Sequence, residues 1–211
     1  MPNPSSDIAF TPAVKAVQAE RKSREAYAKL EARGGFRTAL SEDLVMFLSE
    51  VDTAYLATAN AQGQPYAQHR GGPKGFIRPV DAHTLGFVDF SGNRQYVTTG
   101  NLSENDKAFL FLMDYAHQRR IKLWGRARVV ENDADLTAAL MPEGYRARAE
   151  QVILFAVEAW DINCPQHIPQ KFDAADVAGA LEKLQTDIVK LERENAALRA
   201  ELDAQRRGEH P

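Results

Sequence analysis

The chain has a single cysteine, Cys164, in 211 residues. One thiol rules out an intrachain disulfide and a four-cysteine zinc site, and the setting expected is reducing and cytoplasmic. No metal site is expected. Long apolar runs are missing too: nothing approaches the roughly 18 residues that cross a bilayer, so no membrane segment is expected. The opening MPNPSSDIAF has no basic region followed by an apolar run, and a secretory signal is therefore not expected. Charge of one sign is also scarce. A net charge of −3 gives no overall attraction to nucleic acid or anionic lipid, so any anion site has to be local. What remains is ordinary for a soluble protein, 44% hydrophobic and 26% charged, with length for a domain of about 150 residues plus appendages.

Residues 1–11 are polar and marked by proline, which suits a loosely draped segment. Pro12 to Arg33 reads as one helix, capped by Thr11 and stopped by Gly34-Gly35. Ser41-Glu42-Asp43-Leu44 starts a second, short helix with Leu44, Val45, Phe47 and Leu48 on its buried side. Strands follow at 53–60, 65–70, 84–90, 106–114, 120–130 and 151–160. The turn Ala61 to Gln64 joins the first two, Arg78 to His83 reads as a further turn, and Asp133 to Leu140 as a short helix. The run AFLFLM within 106–114 predicts a strand buried on both faces. From Arg120 to Val130 the sequence alternates strictly. Ile121, Leu123, Gly125, Ala127 and Val129 share one face, and Arg120, Lys122, Trp124, Arg126 and Arg128 the other. Six short strands at hairpin spacing with flanking helices predict a mainly β, α+β fold, a six-stranded antiparallel barrel.

The tail changes character. Val177, Leu181, Leu184, Ile188, Leu191, Asn195, Leu198 and Leu202 recur at alternating spacings of four and three. That is a heptad seam, with Leu184, Leu191 and Leu198 at d and Leu181, Ile188, Asn195 and Leu202 at a. One asparagine at a with leucine at d specifies a parallel two-stranded coiled coil, so self-association through this helix is expected. The other reading is a lone amphipathic helix packed on its own β-domain. DAADVAGALEK precedes the seam where a zipper that reads DNA needs a basic region, and no nucleic-acid partner is expected. The boundaries that result are 1–40 for the N-terminal segment and helix, 41–172 for the β-domain and 173–207 for the C-terminal helix.

Two places have the makings of a ligand site. Ser91-Gly92-Asn93-Arg94 leaves a strand and leads into a helical turn, where free backbone N–H groups and a guanidinium suit a phosphate. His69-Arg70-Gly71-Gly72 ends the second strand, and paired glycines let a flat ligand approach the backbone. Arg120 and Lys122 add positive charge on an exposed strand face. Each also has a structural reading: a turn, a β-bulge, a solvated or dimer-facing strand. Together they suggest a planar, phosphorylated ligand.

The same residues carry a resemblance. The order PY–strand–basic residue, strand–GNR, GNLSEN before an apolar strand, then basic–x–x–x–x–GRA resembles the pyridoxamine 5′-phosphate oxidase-like superfamily of FMN-binding split barrels. The likeness covers about Glu42 to Trp160. It implies FMN as cofactor, oxidoreductase chemistry and a homodimer with the flavin at the subunit interface. It implies that Gln68, His69, Arg70, Gly71 and Gly72 line the ribityl chain and flavin edge, with Val88 and Asp89 beside them. Asn93, Arg94 and Gln95 would hold the phosphate, and Arg120 and Lys122 would reach the ring. Gln95 stands where the oxidases have a lysine, and Arg70 or Lys74 would compensate. The oxidases end in an arginine- and histidine-bearing strand that binds their substrate. Here Asn163-Cys164-Pro165-Gln166-His167 takes that place, so oxidation of pyridoxamine phosphate is not expected. Gln166 and His167 are candidates for substrate contact, or else an anchoring loop. No catalytic acid or base is assigned. A flavin-binding module without turnover, or a split barrel that uses haem or a deazaflavin, are the alternatives.

Overall fold

Alternation sets the sheet. In β1 (Thr53–Ala59) the side chains of Ala54, Leu56 and Thr58 are buried and those between are half-buried. The turn after it is built by Asn60, whose side chain accepts from the amides of Gln62 at 3.1 Å and Gln64 at 2.9 Å. The chain returns as β2 (Pro65–Gly71). Then come β3 (Arg78–Pro79), β4 (Thr84–Phe90), β5 (Lys107–Asp114), β6 (Arg119–Val130) and β7 (Ala149–Ile162). All pair antiparallel in one sheet ordered β2-β1-β5-β6-β7-β4-β3. The structure is a computed structural model, which describes residues 3–162 and 165–208. It has the α+β character expected, with six α-helices among the described residues.

The seventh strand is new. It lies in the stretch read as a turn, where Arg78 pairs with Gly86 and Pro79 with Leu85. Proline is tolerated there because the strand is at the sheet's edge, where one N–H need not join the ladder. β5 also differs from expectation. Ala108, Leu110 and Leu112 enter the core, but Phe109 and Phe111 are only half-buried on the outer face, where Phe109 meets Trp124 at 5.2 Å. The run is apolar on both faces because the outer face is aromatic.

That outer face explains the N-terminal segment. Phe36 stacks on Trp124, ring centroids 5.2 Å apart and planes 7° apart, and Phe10 packs edge-on against both Phe36 and Tyr27. Residues 3–11 are therefore not loose: Ser5–Ile8 form a 3-10 turn, Ser6 is fully buried, and the Ser5 hydroxyl donates to the Phe36 carbonyl at 2.5 Å. The single helix expected over 12–33 is two, α1 (Pro12–Glu20) and α2 (Arg24–Glu31), broken at Lys22, whose φ is 61°. Lys15 ties them by ion pairs to Asp7 at 2.6 Å and Glu31 at 3.2 Å. Thr11 caps α1 as expected, accepting from the Val14 amide. Val14 and Val17 in α1 do not anchor the segment, since both are exposed, Val17 by 55%.

α3 (Glu42–Glu50) is capped by Ser41 and buries Leu44, Phe47 and Leu48. Val45, expected inside, is exposed. These residues join Leu56, Leu110, Leu123, Phe155 and Trp160 in the main core. The Trp160 indole is fully covered and donates to the Ala39 carbonyl at 2.9 Å. At the β5–β6 turn, Asp114 accepts from Arg119 at 2.6 Å and from the His117 amide at 3.0 Å. Burial works against its charge, but these bonds outweigh burial and hold the carboxyl below the usual range.

Two further helices flank the late strands. α4 (Val97–Glu104) lies between β4 and β5, and α5 (Ala134–Leu140) between β6 and β7, capped by Asp133. The chain divides into two compact units after Ile168, and residues 3–40 belong to the same unit as the sheet. The second unit is α6 (Ala174–Arg206), 33 residues long. Among the described residues no helix is long and apolar enough to cross a membrane.

Candidate functional site

The motif Asn101-Leu102-x-x-Asn105 fastens α4 to β1. Asn101 donates its side-chain amide to the buried Thr58 hydroxyl at 3.0 Å, and Asn105 donates to the Ala59 carbonyl at 3.2 Å. Leu102 is buried. Glu104 accepts from the Ala61 amide at 3.0 Å. With its C-terminal half held this way, α4 presents its first turn to a cavity of about 230 Å³. β2 supplies Gln68 and Arg70 to that cavity, β4 supplies Asp89 and Phe90, and the turn after β4 supplies Gly92, Asn93, Arg94, Gln95 and Tyr96. Thr98, Thr99 and Glu150 complete the wall.

The polar groups there are connected. Arg70 and Asp89 form an ion pair across from β2 to β4, with 10% and 14% of each side chain exposed. Gln151 donates to Asp89 at 2.9 Å and to the Thr99 hydroxyl at 3.0 Å, and Thr98 donates to Gln68 at 2.8 Å. Arg94 donates to the Tyr96 hydroxyl at 2.8 Å, and that hydroxyl donates to Glu150 at 2.5 Å. The Tyr96 oxygen and the Glu150 charge hold the Arg94 guanidinium more firmly protonated than usual.

Two features favour an anion. α4 starts at Tyr96, in the left-handed region at φ 55°, with no side chain capping it. Its first-turn N–H groups therefore lack the cap that Thr11, Ser41 and Asp133 give other helices. The Arg70 Nε is buried and has no hydrogen-bond partner, an expensive state that an acceptor would relieve. Against these stands the charge count: Arg70 and Arg94 face Asp89 and Glu150, so the lining is neutral.

A model of the pyridoxamine 5′-phosphate oxidase family matches residues 40–164, more than half of the chain. The chain belongs to the pyridoxamine 5′-phosphate oxidase family. No curated protein sequence matches it. Solved structures are similar to parts of the chain at low identity. HupZ of Group A Streptococcus is 17% identical, with 63% of this chain and 98% of that one covered and a TM-score of 0.48. An FMN-binding protein from Syntrophomonas wolfei is 10% identical, covering 74% and 98%, with a TM-score of 0.44. HutZ, a haem storage protein from Vibrio cholerae, is 18% identical, covering 58% and 94%, with a TM-score of 0.43.

In this member of the family, Gln68, Arg70, Asp89, Asn93, Arg94 and Gln95 come together around the cavity. The other candidates lie elsewhere. His69 alternates to the opposite face of β2 and packs against Tyr55 at 5.6 Å. The glycine pair is explained by packing. A Cβ on Gly71 would lie 2.9 Å from the His69 ring and one on Gly72 2.7 Å from Phe76, and the Gly72 amide already donates to the Asp52 carbonyl at 3.2 Å. Val88 is buried with Leu140, Val152 and Leu154 in a second core cluster. Arg120 and Lys122 lie on β6, two strands away from β1 in the sheet order. Lys122 pairs with Asp161 at 3.3 Å and lies 5.2 Å from the Trp124 ring centre, while the Arg120 Nε is buried without a partner. Gln166 and His167 are exposed in a turn, His167 at φ 64°, which Gln118 holds by donating to the Ile168 carbonyl at 2.7 Å. Asn163 and Cys164 lie outside the described residues.

Thr98, Thr99, Tyr96, Glu150 and Gln151 belong to the site and were not candidates. Their signal was faint: two hydroxyls shortly after GNRQY, and a polar Glu-Gln pair ahead of the apolar run VILFAV in the final strand.

Proposed function

We propose that the protein is an FMN-binding flavoprotein of oxidoreductase type, working as a homodimer with the cofactor between two copies. The observation that carries this is the cavity wall, where the uncapped start of α4 and the side chain of Arg70, whose buried Nε has no partner, line one space. Main-chain N–H groups at a helix start with a guanidinium beside them are what a phosphate monoester requires. The Gln68 amide and the Thr98 and Thr99 hydroxyls offer donors and acceptors for a polyol chain. Arg94, 68% exposed, can turn from Glu150 toward an incoming dianion. The 230 Å³ cavity is below the roughly 300–1,000 Å³ of pockets that enclose a whole ligand. One chain thus seats the phosphate end, and a second copy walls the ring. Arg120 and Lys122, on the outer face of β6, would take that second role. When bound, FMN supplies the electron-accepting chemistry, and the protein supplies position and electrostatics.

Both carboxylates of the cavity are engaged, Asp89 by Arg70 and Gln151, Glu150 by Tyr96. No free general base faces the space, which favours a second reading, a flavin-binding module without turnover. The test is spectroscopic. Apo-protein incubated separately with FMN, a deazaflavin and haemin, then desalted, is expected to retain flavin bands from FMN alone. Retention of the haem Soret band without flavin would overturn the reading. Bleaching of bound FMN by NADH or NADPH, with recovery in air, separates the oxidoreductase from the module.

A further inference from the structure

The strongest feature outside the cavity is α6. None of its 33 residues is buried. Leu181, Leu184, Leu191 and Leu198 are 57–64% exposed, in one stripe at heptad spacing. A helix with glycine inside it, Gly179, and no buried face has little to hold it together in water. Its apolar stripe needs a partner.

We propose that the partner is α6 of a second copy of this chain, wound parallel and in register as a two-stranded coiled coil. Two independent observations fix the orientation. Asn195 occupies an a position. In a parallel pair the two Asn195 amides meet and hydrogen-bond each other; in an antiparallel pair each faces a leucine at d and goes unsatisfied. The flanking charges agree. The g positions are Asp187, Glu194 and Glu201, and the e positions one heptad on are Glu192, Arg199 and Arg206. Parallel pairing sets Glu194 against Arg199 and Glu201 against Arg206, leaving one like-charged contact, Asp187 with Glu192. Antiparallel pairing would set the three acidic g residues against one another. The charges and the asparagine select the same geometry, and the helix is about 50 Å long at 1.5 Å per residue. This inference does not rest on the cofactor reading.

The test uses full-length protein on a Cys164→Ser background, with one new cysteine at a time and mild oxidation. Ala174→Cys (a) and Gln205→Cys (d), at opposite ends of the helix, are each expected to give a disulfide-linked dimer at least about tenfold faster than Ala200→Cys on the outer f position. A mixture of the Ala174→Cys and Gln205→Cys chains is expected to give no mixed dimer. Leu184→Asp with Leu191→Asp is expected to abolish linkage through Ala174→Cys while the circular dichroism of the sheet persists. Mixed dimers from the two ends would show antiparallel pairing, and equal rates at all three positions would show no pairing. Either result overturns the proposal.

Discussion

Replacing Gly125 by alanine is expected to destabilise the protein by more than about 4 kcal/mol, the range in which single substitutions unfold a domain. Gly125 lies in β6 where its pairing with β7 shifts register: Trp124 opposes Ala159, but Gly125 opposes Val157. A Cβ there would stand 2.0 Å from the Ala156 carbonyl oxygen and 3.0 Å from its carbon. Those are backbone atoms of a paired strand, so no rotamer change relieves the overlap, and β6 has to move away from β7. That breaks the most extensive pairing of the sheet, through whose core-facing side Leu123, Phe155 and Trp160 are packed. Gly100→Ala is the control. Gly100 lies within α4 with no atom within 4 Å of the added Cβ, and the change is expected to stabilise by about 0.5–1 kcal/mol. Denaturant midpoints measure both. A Gly125→Ala protein within about 1 kcal/mol of the parent would refute this account of the bulge.

Arg70→Met has the second large expected effect, and it divides into two parts. Loss of the guanidinium leaves Asp89, half-buried at the cavity wall, with Gln151 as its remaining partner, and stranding a partly buried charge in this way is expected to cost about 1–3 kcal/mol. Removing Asp89 as well, in Arg70→Met with Asp89→Leu, is expected to restore most of that stability, because two apolar side chains leave no stranded charge. FMN binding is expected to stay weakened in the double variant by about 10- to 100-fold, the worth of one charge-assisted hydrogen bond. Stability and binding thus separate. Recovery of both in the double variant would mean that Arg70 serves the fold alone.

Local rules carried much of this structure into the sequence. The caps at Thr11 and Ser41, the turn at Ala61 to Gln64 and the alternation of β6 are short-range effects, and each appears where its residues predict. Phe109 and Phe111 show where pattern fails: an apolar run cannot say whether its second face meets core or an aromatic surface. The segment that covers that surface, anchored by Phe10 and Phe36, depends on contacts distant in sequence. The same holds for the cavity. Asn93, Arg94 and Arg70 were legible as strand-end and turn residues with anion chemistry, and Gln68 through the family resemblance. Gly71, Gly72 and Val88 lie beside them in sequence, but Gly71 faces the His69 ring, Gly72 faces Phe76 and Val88 faces the core. Glu150 and Gln151 enter only because β7 pairs with β4, Asp89 opposite Gln151, a partnership across more than sixty residues that no local signal announces.

The central claim is that the start of α4 and Arg70 seat a phosphate. Comparing the dissociation constants of FMN and riboflavin, which differ only by that phosphate, tests it most directly. The account predicts FMN tighter by at least about 100-fold, the worth of two or more charge-assisted hydrogen bonds. Affinities equal within about threefold would contradict it.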